Sequence, residues 1–245
     1  MNGHMEVKVM IYNIHHGQGR NGRSNLERVA EVVRACGADI VGFNEVDRFF
    51  GRRSGFVDQY AWLADRLGMH GAFGASITRR KGAVVREYGN AVLSRFPIVS
   101  HRNHGYRARG LIVSEPRAVL EADVELGLSR PLKLFVTHLS FIPVLQRIQI
   151  ELMAARFGKA PAPAVLMGDM NMRPGQVSWR KLARLAQDAG RDNDGQPLPT
   201  FPSTSPVTQK DYIFATREIR VIASGTDASA PDVSDHLPLW AVLDL

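Results

Sequence analysis

The residues able to do chemistry in this chain stand at the ends of apolar runs. Asn13 follows the alternating Val7, Val9 and Ile11, and Glu45 follows the run from Asp39 to Phe43. His138 closes Leu134-Phe135-Val136-Thr137, while Asp169 and Asn171 follow Val165-Leu166-Met167. Asp211 precedes Tyr212-Ile213-Phe214, and Asp235-His236 precede the last apolar run. A strand end delivers its side chain to the rim of a sheet, where residues remote in sequence can share one cleft. Taken singly, each has an ordinary structural explanation: Gly168-Asp169-Met170-Asn171 has the composition of a turn, Asp235 can close one, and a lone histidine is usually structural. Together, carboxylates and amide oxygens suit a hard cation such as Mg²⁺, which takes oxygen ligands and keeps several waters. Two histidines add donors to phosphate oxygens or proton transfer near neutral pH. No His/Cys cluster has zinc spacing, and there is neither a Walker-type glycine-rich loop nor a Gly-x-Ser-x-Gly elbow. Metal-assisted phosphoester hydrolysis is therefore the leading chemistry.

Such a site needs strands with helices between them. Val7, Val9 and Ile11 alternate as in a strand. Ser24-Asn25-Leu26-Glu27 has capping-box spacing ahead of a helix whose inner face is Leu26, Val29, Ala30 and Val33. Asp58 is placed to cap a second helix carrying Tyr60, Leu63, Ala64 and Leu67, with Gly68 to end it. Pro143 suits a third helix start, with Leu145, Ile148, Leu152 and Ala155 as the expected buried face. A fourth helix fits residues 176–189, ended by Gly190. Further strands are expected at 39–43, 89–94, 117–125, 132–137, 163–167, 212–215, 218–223 and 237–243. This alternation predicts an α/β or mixed layered architecture. No repeat and no long linker divides the chain, so residues 5–245 read as one catalytic domain.

With 245 residues, 44% of them apolar, the chain can bury a sizeable core and is no disordered or low-complexity polymer. A single cysteine, Cys36, excludes an intrachain disulfide framework and makes a reducing compartment, the cytoplasm, the simpler expectation. No apolar stretch approaches about 18 residues, so no transmembrane segment is expected. The stretch from Met1 to Glu6 lacks the hydrophobic region of a signal peptide. The net charge of +7 points to an anionic partner without choosing among nucleic acid, phospholipid and a smaller phosphoester; an arginine-rich composition is the plain alternative. That charge is localised. Residues 79–117 hold Arg79, Arg80, Lys81, Arg86, Arg95, Arg102, Arg107, Arg109 and Arg117 against Glu87 and Glu115, a surplus equal to that of the whole chain. A solvated basic face explains such a run unless catalytic residues converge beside it.

Seven motifs occur in order: Tyr12-Asn13-Ile14-His15, Asn44-Glu45-Val46-Asp47, Gly89-Asn90-Ala91-Val92-Leu93-Ser94-Arg95, Thr137-His138-Leu139-Ser140, Gly168-Asp169-Met170-Asn171, Asp211-Tyr212-Ile213-Phe214 and Ser234-Asp235-His236-Leu237-Pro238. The set resembles the endonuclease/exonuclease/phosphatase superfamily, which includes deoxyribonuclease I, abasic-site endonucleases, neutral sphingomyelinases and inositol-polyphosphate 5-phosphatases. It spans residues 8 to 243. The resemblance implies an α/β fold like that of deoxyribonuclease I: a four-layer sandwich, two mostly antiparallel sheets packed face to face with helices outside. It implies phosphodiester hydrolysis with Mg²⁺, for which Mn²⁺ can substitute. By motif, Glu45 matches the principal metal ligand, Asn13 stands beside it, and Asp235 resembles an accessory ligand. Asp169 matches the residue that orients or deprotonates the attacking water, and Asn171 the one that holds that water or the phosphate. His236 matches the histidine on the scissile phosphate, Asp211 the acid that orients it, and His138 a second histidine able to act as general acid. Arg117 and Asn90 are expected on the substrate phosphate, and Glu87 as a partner orienting His138.

Departures from the pattern bear on the substrate. His15 stands where abasic-site endonucleases carry an aspartate ligand, which implies a poorer second Mg²⁺ contact, and His16 reads as a loop residue. Pro199-Thr200-Phe201-Pro202-Ser203 replaces the aromatic-rich segment of those enzymes, which disfavours a base-stacking pocket. The pattern looks closer to a broad bacterial branch, in which Lys210 replaces a usually apolar residue and adds a charge to the pocket floor. A small or lipid-derived phosphodiester is the favoured substrate, and cleavage of DNA or RNA, resting on residues 79–117, is the alternative. A third reading is a non-catalytic binding module of the same fold; such relatives usually lose the Glu, the Asp-x-Asn or the terminal His, all present here.

Overall fold

Runs rich in valine, isoleucine and leucine pair into two six-stranded sheets in the computed structural model, which describes residues 5–19, 22, 24–106, 114–160 and 163–245. Arg107 and Arg109 lie outside the described residues. The elements in chain order are β1 (Glu6–Asn13), α1 (Leu26–Cys36), β2 (Ile40–Arg48), α2 (Gln59–Leu67), β3 (His70–Lys81), β4 (Val84–Ser94), β5 (Ile98–Tyr106), β6 (Arg117–Val124), β7 (Leu132–His138), α3 (Pro143–Phe157), β8 (Ala164–Asp169), α4 (Val177–Leu185), β9 (Gln187–Asp188), β10 (Asp211–Ala215), β11 (Arg220–Thr226) and β12 (Leu239–Asp244). One sheet has the order β11-β12-β1-β2-β4-β3 and the other β5-β6-β7-β8-β10-β9. Each is antiparallel except at its centre, where β1 lies parallel to β2 and β7 to β8. Parallel neighbours need a crossover, supplied by α1 and α3. The C-terminal ends of these four strands therefore share one end of the sandwich with the N-terminal ends of β4, β6, β10 and β12.

Alternation along the strands sorts side chains into layers. Val9 and Ile11 meet Leu134, Val136, Val165 and Met167 in a dry seam between the sheets. Met10 and Tyr12 point the other way, onto Leu26, Val29 and Val33 of α1 and Leu63 of α2. Beyond the second sheet, Phe135, Leu166 and Phe214 pack under Ile150, Met153 and Phe157 of α3 and Leu182 of α4. Helices, sheet, sheet, helices is the four-layer arrangement, and each such aliphatic side chain contributes about 1.5–3 kcal/mol on burial.

Asp58 caps α2 by accepting the Ala61 N–H at 3.0 Å, and Gly68, at φ 63°, ends that helix. The expected capping box ahead of α1 does not form. Asn25 is the N-cap without a side-chain bond, while its N–H donates to Gly17 at 2.7 Å and Ser24 bridges Gln18. This segment is tied to the turn carrying His15 and His16 instead. On α3 the buried face is Leu145, Gln146, Gln149, Ile150, Met153, Ala154 and Phe157; Ile148 and Leu152 are exposed at 44% and 48%, and Ala155 is exposed. Two glutamines take the inner face because they bond backbone: Gln149 Oε1 accepts the Ser140 N–H at 2.7 Å, and Gln146 Nε2 donates to Asn171 O at 2.7 Å. The fourth helix stops at Leu185, since Gln187 and Asp188 pair with β10 as β9. β3 and β5 were not foreseeable from apolar alternation, because β5 and the distal half of β3 are largely solvated. No helix among the described residues is long and apolar enough to cross a membrane.

Candidate active site

The strand pairing that builds the sandwich also gathers its polar ends. His138 is in register with Asp169 across β7 and β8, Asp211 with Asp169 across β10 and β8, and Asn13 with Asn44 across β1 and β2. Final placement uses strained backbone. The register of β2 against β4 shifts between Phe43 and Val46, and Glu45 within that irregularity has φ 62°. Asn171 (φ 46°), His15 (φ 46°) and His16 (φ 59°) share this left-handed region, which is uncommon for non-glycine residues and concentrates at functional sites.

Asp169 is the hub. Its Oδ2 accepts from Asn13 Nδ2 at 3.1 Å and lies 3.4 Å from His138 Nε2 and 3.7 Å from His236 Nε2. Its Oδ1 accepts the Asn171 N–H at 3.0 Å. Burial raises the Asp169 carboxyl above its usual range, the Asp211 charge adding to this and His236 opposing it. Asp211 Oδ2 meets His236 Nδ1 at 2.7 Å. Burial works against charge on His236, yet the Asp211 and Asp169 carboxylates outweigh it and lift the imidazole to about 10, so it is cationic at neutral pH. His138 is the opposite case. Burial, then the Arg117 charge, push it well below its usual range, and its Nδ1 lies 2.9 Å from Arg117 Nη1. Because a guanidinium only donates, Nδ1 is the acceptor and the proton sits on Nε2, facing the Asp169 carboxylate. Asn171 Nδ2 lies 3.3 Å from that Nε2 and donates to Leu139 O at 3.0 Å.

Glu45 accepts from Asn13 at 3.1 Å through one oxygen, and its other oxygen is 3.1 Å from His16 Nε2. Burial raises its carboxyl, the Asn13 N–H opposing and the nearby Asp235 charge adding. Glu45 and the nearby Asp235 both offer carboxylate oxygen, the donor type that a hard divalent cation takes, so these two residues could hold one. Asn13 departs from expectation: its Oδ1 accepts the His15 N–H at 3.1 Å, so its amide presents N–H groups to Glu45 and Asp169 rather than an oxygen to a metal. Asp169, Asp211 and His236 bring one potential ligand atom each within 4.8 Å, but the short Asp211–His236 bond makes that trio a hydrogen-bonded relay first.

Two other expectations are corrected. Asn90, 1% exposed, accepts from Asn44 at 2.8 Å and donates to Ala118 O at 3.0 Å, so it braces the sheets beneath the site rather than facing substrate. Glu87 bonds Arg48 at 2.9 Å, and Arg117 holds the position beside His138. Arg117 is 7% exposed, pairs with Glu115 at 2.7 Å and keeps Nε without a protein partner. Sequence reasoning missed Asn44, fully buried, whose Oδ1 accepts the Asp169 N–H at 2.7 Å; an amide inside an apolar strand was the available signal. It also missed Arg53, which grips Asp47 at 2.8 and 2.9 Å and reaches His16 Nε2 at 3.1 Å, and for which a loop arginine gives no signal. Phe201 lies 4.9 Å from the His236 ring, and the Lys210 ammonium sits 3.6 Å over Phe201.

A four-layer sandwich with a buried Asp/Asp/His cluster at the shared end of both sheets is a phosphoesterase fold of the deoxyribonuclease I kind. The chain belongs to the endonuclease/exonuclease/phosphatase family, whose family model matches residues 10–236. It is 28% identical over 264 residues to YbhP of Escherichia coli K12, covering 97% of this chain and 96% of that one. Among solved structures it resembles an endonuclease/exonuclease/phosphatase from Beutenbergia cavernae, with 24% identity, a TM-score of 0.75, and coverage of 98% of this chain and 72% of that one. The mannosyl-6-phosphatase Bt3783 of Bacteroides thetaiotaomicron is similar in fold at 18% identity, with a TM-score of 0.77 and coverage of 97% and 99%.

Proposed function

We propose that this chain is a cytoplasmic, divalent-metal-dependent phosphodiester hydrolase acting on a small or lipid-derived phosphodiester, with residues 5–245 as one catalytic domain. The relay from Asp211 through His236 toward Asp169, closed by a 2.7 Å bond, carries the reading. Mg²⁺ is the proposed ion, with Mn²⁺ able to substitute; held by Glu45 and Asp235, it would supply neutralising charge to the phosphoryl group. Asp169, its carboxyl raised by burial and oriented by Asn13 and Asn171, takes the proton of the attacking water. His236, kept cationic by Asp211, donates Nε2–H to a phosphate oxygen as negative charge grows there. His138 serves as a neutral N–H donor, replacing the general-acid role expected of it, and Arg117 adds a charge beside it. Asn171 holds the water or the phosphate.

The test is hydrolysis of bis(4-nitrophenyl) phosphate. Asp169→Asn and His236→Ala should each lower kcat by at least about 10²–10³ with unchanged far-UV circular dichroism; wild-type rates in both would sink the reading. Removing divalent ions with EDTA should abolish turnover, and added Mg²⁺ should restore it.

Cleavage of nucleic acid is the second reading. It is supported by Arg79, Arg80, Lys81 and Arg86 on the β3–β4 hairpin, which stand at the site end of the sheet with no carboxylate partner among the described residues. Arg79 and Arg86 already stack on Phe50 and Phe56, at 4.8 and 5.0 Å.

A further inference from the structure

A cavity of about 480 Å³ opens beside Asn171, bounded by Phe141, Arg173, Phe201, Val207, Thr208 and Lys210. Its lining contains two cations and no carboxylate. Among the described residues neither cation has an acidic partner: the Lys210 ammonium rests on the Phe201 ring, and Arg173 is held through its backbone, its N–H donating to Gln176 Oε1 at 2.9 Å and its carbonyl accepting the Gln176 N–H at 3.2 Å. The Lys210 backbone is pinned, its N–H donating to Thr200 Oγ1 at 3.1 Å and its carbonyl accepting from Met170 at 2.9 Å, so its side chain is fixed at the root and its ammonium meets only the face of Phe201 among the described residues. Phe201 contacts both this ammonium and the His236 ring, which places the cavity next to the reacting centre. Phe141 and Val207, 72% and 75% exposed, form an apolar mouth. An apolar body with two unneutralised cations is complementary to an anionic group on a short apolar stem.

We propose that this cavity is a second anion subsite: it takes the substituent of a phosphodiester when that substituent carries a further phosphate or carboxylate. The proposal rests on the hydrolase reading for its place in a reaction, and Lys210 and Arg173 are the residues that discriminate. Substrates with a second anionic group are then preferred over diesters with neutral substituents, and the preference belongs to the cavity rather than to the scissile phosphate.

The test uses the full chain and calorimetric titration, which needs no turnover. The probes are propyl phosphate, 3-phosphonooxypropanoate and propane-1,3-diyl bisphosphate. The wild type should bind the bisphosphate roughly tenfold tighter than propyl phosphate, the carboxylate probe showing whether a carboxylate suffices. Lys210→Met and Arg173→Met should each shrink that ratio to within about threefold, and Lys210→Arg should retain most of it. No advantage for either doubly anionic probe in the wild type would overturn the subsite, as would variants that weaken propyl phosphate as much as the bisphosphate. Turnover of bis(4-nitrophenyl) phosphate by the same wild-type sample separates the two ideas. A binding preference without turnover retains the subsite and removes the hydrolase; turnover without preference does the reverse.

Discussion

Arg117 decides which nitrogen of His138 carries the proton. At 2.9 Å its guanidinium can only donate to Nδ1, so Nε2–H is left to face the Asp169 carboxylate. Glu87 in that place would have demanded the other tautomer. The two candidates lie on different strands, and choosing between them needs the register of β4 and β6 around β7, which no local pattern encodes. The residue types at strand ends were legible because polar groups closing apolar runs stand out; their partners were not. Replacing Arg117 with methionine keeps the bulk and removes the donor. We expect kcat on bis(4-nitrophenyl) phosphate to fall by about 10², and ¹⁵N imidazole shifts to show His138 leaving the single Nε2–H form. Lysine at 117 should restore the tautomer more than the rate, since one ammonium does not reproduce a guanidinium that also holds Glu115. An unaltered tautomer in the methionine variant would refute this assignment.

Helices show where local rules hold and where tertiary bonds override them. Asp58 caps α2 as its type predicts, whereas Ser24 and Glu27 have capping-box spacing ahead of α1 yet make no cap there. Asp58→Ala should cost about 1 kcal/mol in urea unfolding. Ser24→Ala should stay within about 0.5 kcal/mol, because no side-chain cap is lost. The inner face of α3 departs from the apolar pattern for a physical reason: apolarity marks burial only where no backbone needs a partner. Around the site, loop backbone at Ser140, Met170 and Asn171 requires donors and acceptors, and glutamines answer it while Ile148 and Leu152 remain in solvent. Gln149→Ala should therefore destabilise by about 1–3 kcal/mol, leaving the Ser140 N–H buried without its acceptor. Leu152→Lys should change stability by no more than about 0.5 kcal/mol. Equal effects at the two positions would show that the face is assigned wrongly.

Stacking two sheets around one seam explains how charge and chemistry come to share an end of the molecule. The alternating runs made layers expectable, but the pairing of one sheet against the other depends on long-range contacts between β1 and β8 or β2 and β7, which spacing alone does not reveal. The same topology divides the basic segment. Arg95 sits at the far end of β4 and pairs with Asp39, Arg117 lies within the site, and Arg79, Arg80, Lys81 and Arg86 crown the hairpin beside it without acidic partners among the described residues. Such a crown raises the local concentration of any anion, so its effect must be separated from a true grip on a polymer. For a small diester only screening acts, and kcat/KM should decline gently with ionic strength, by a few-fold across roughly a tenfold rise in salt. A polynucleotide held by the hairpin would instead release counterions, with a log–log slope of about −0.9 for each phosphate contacted. We expect the gentle dependence, flattened further in the Arg79→Gln, Arg80→Gln, Lys81→Gln triple variant with the change falling on KM. A slope steeper than about −3 on single- or double-stranded DNA, abolished by the same three substitutions, would transfer the reading to a nuclease, because only several simultaneous phosphate contacts produce it.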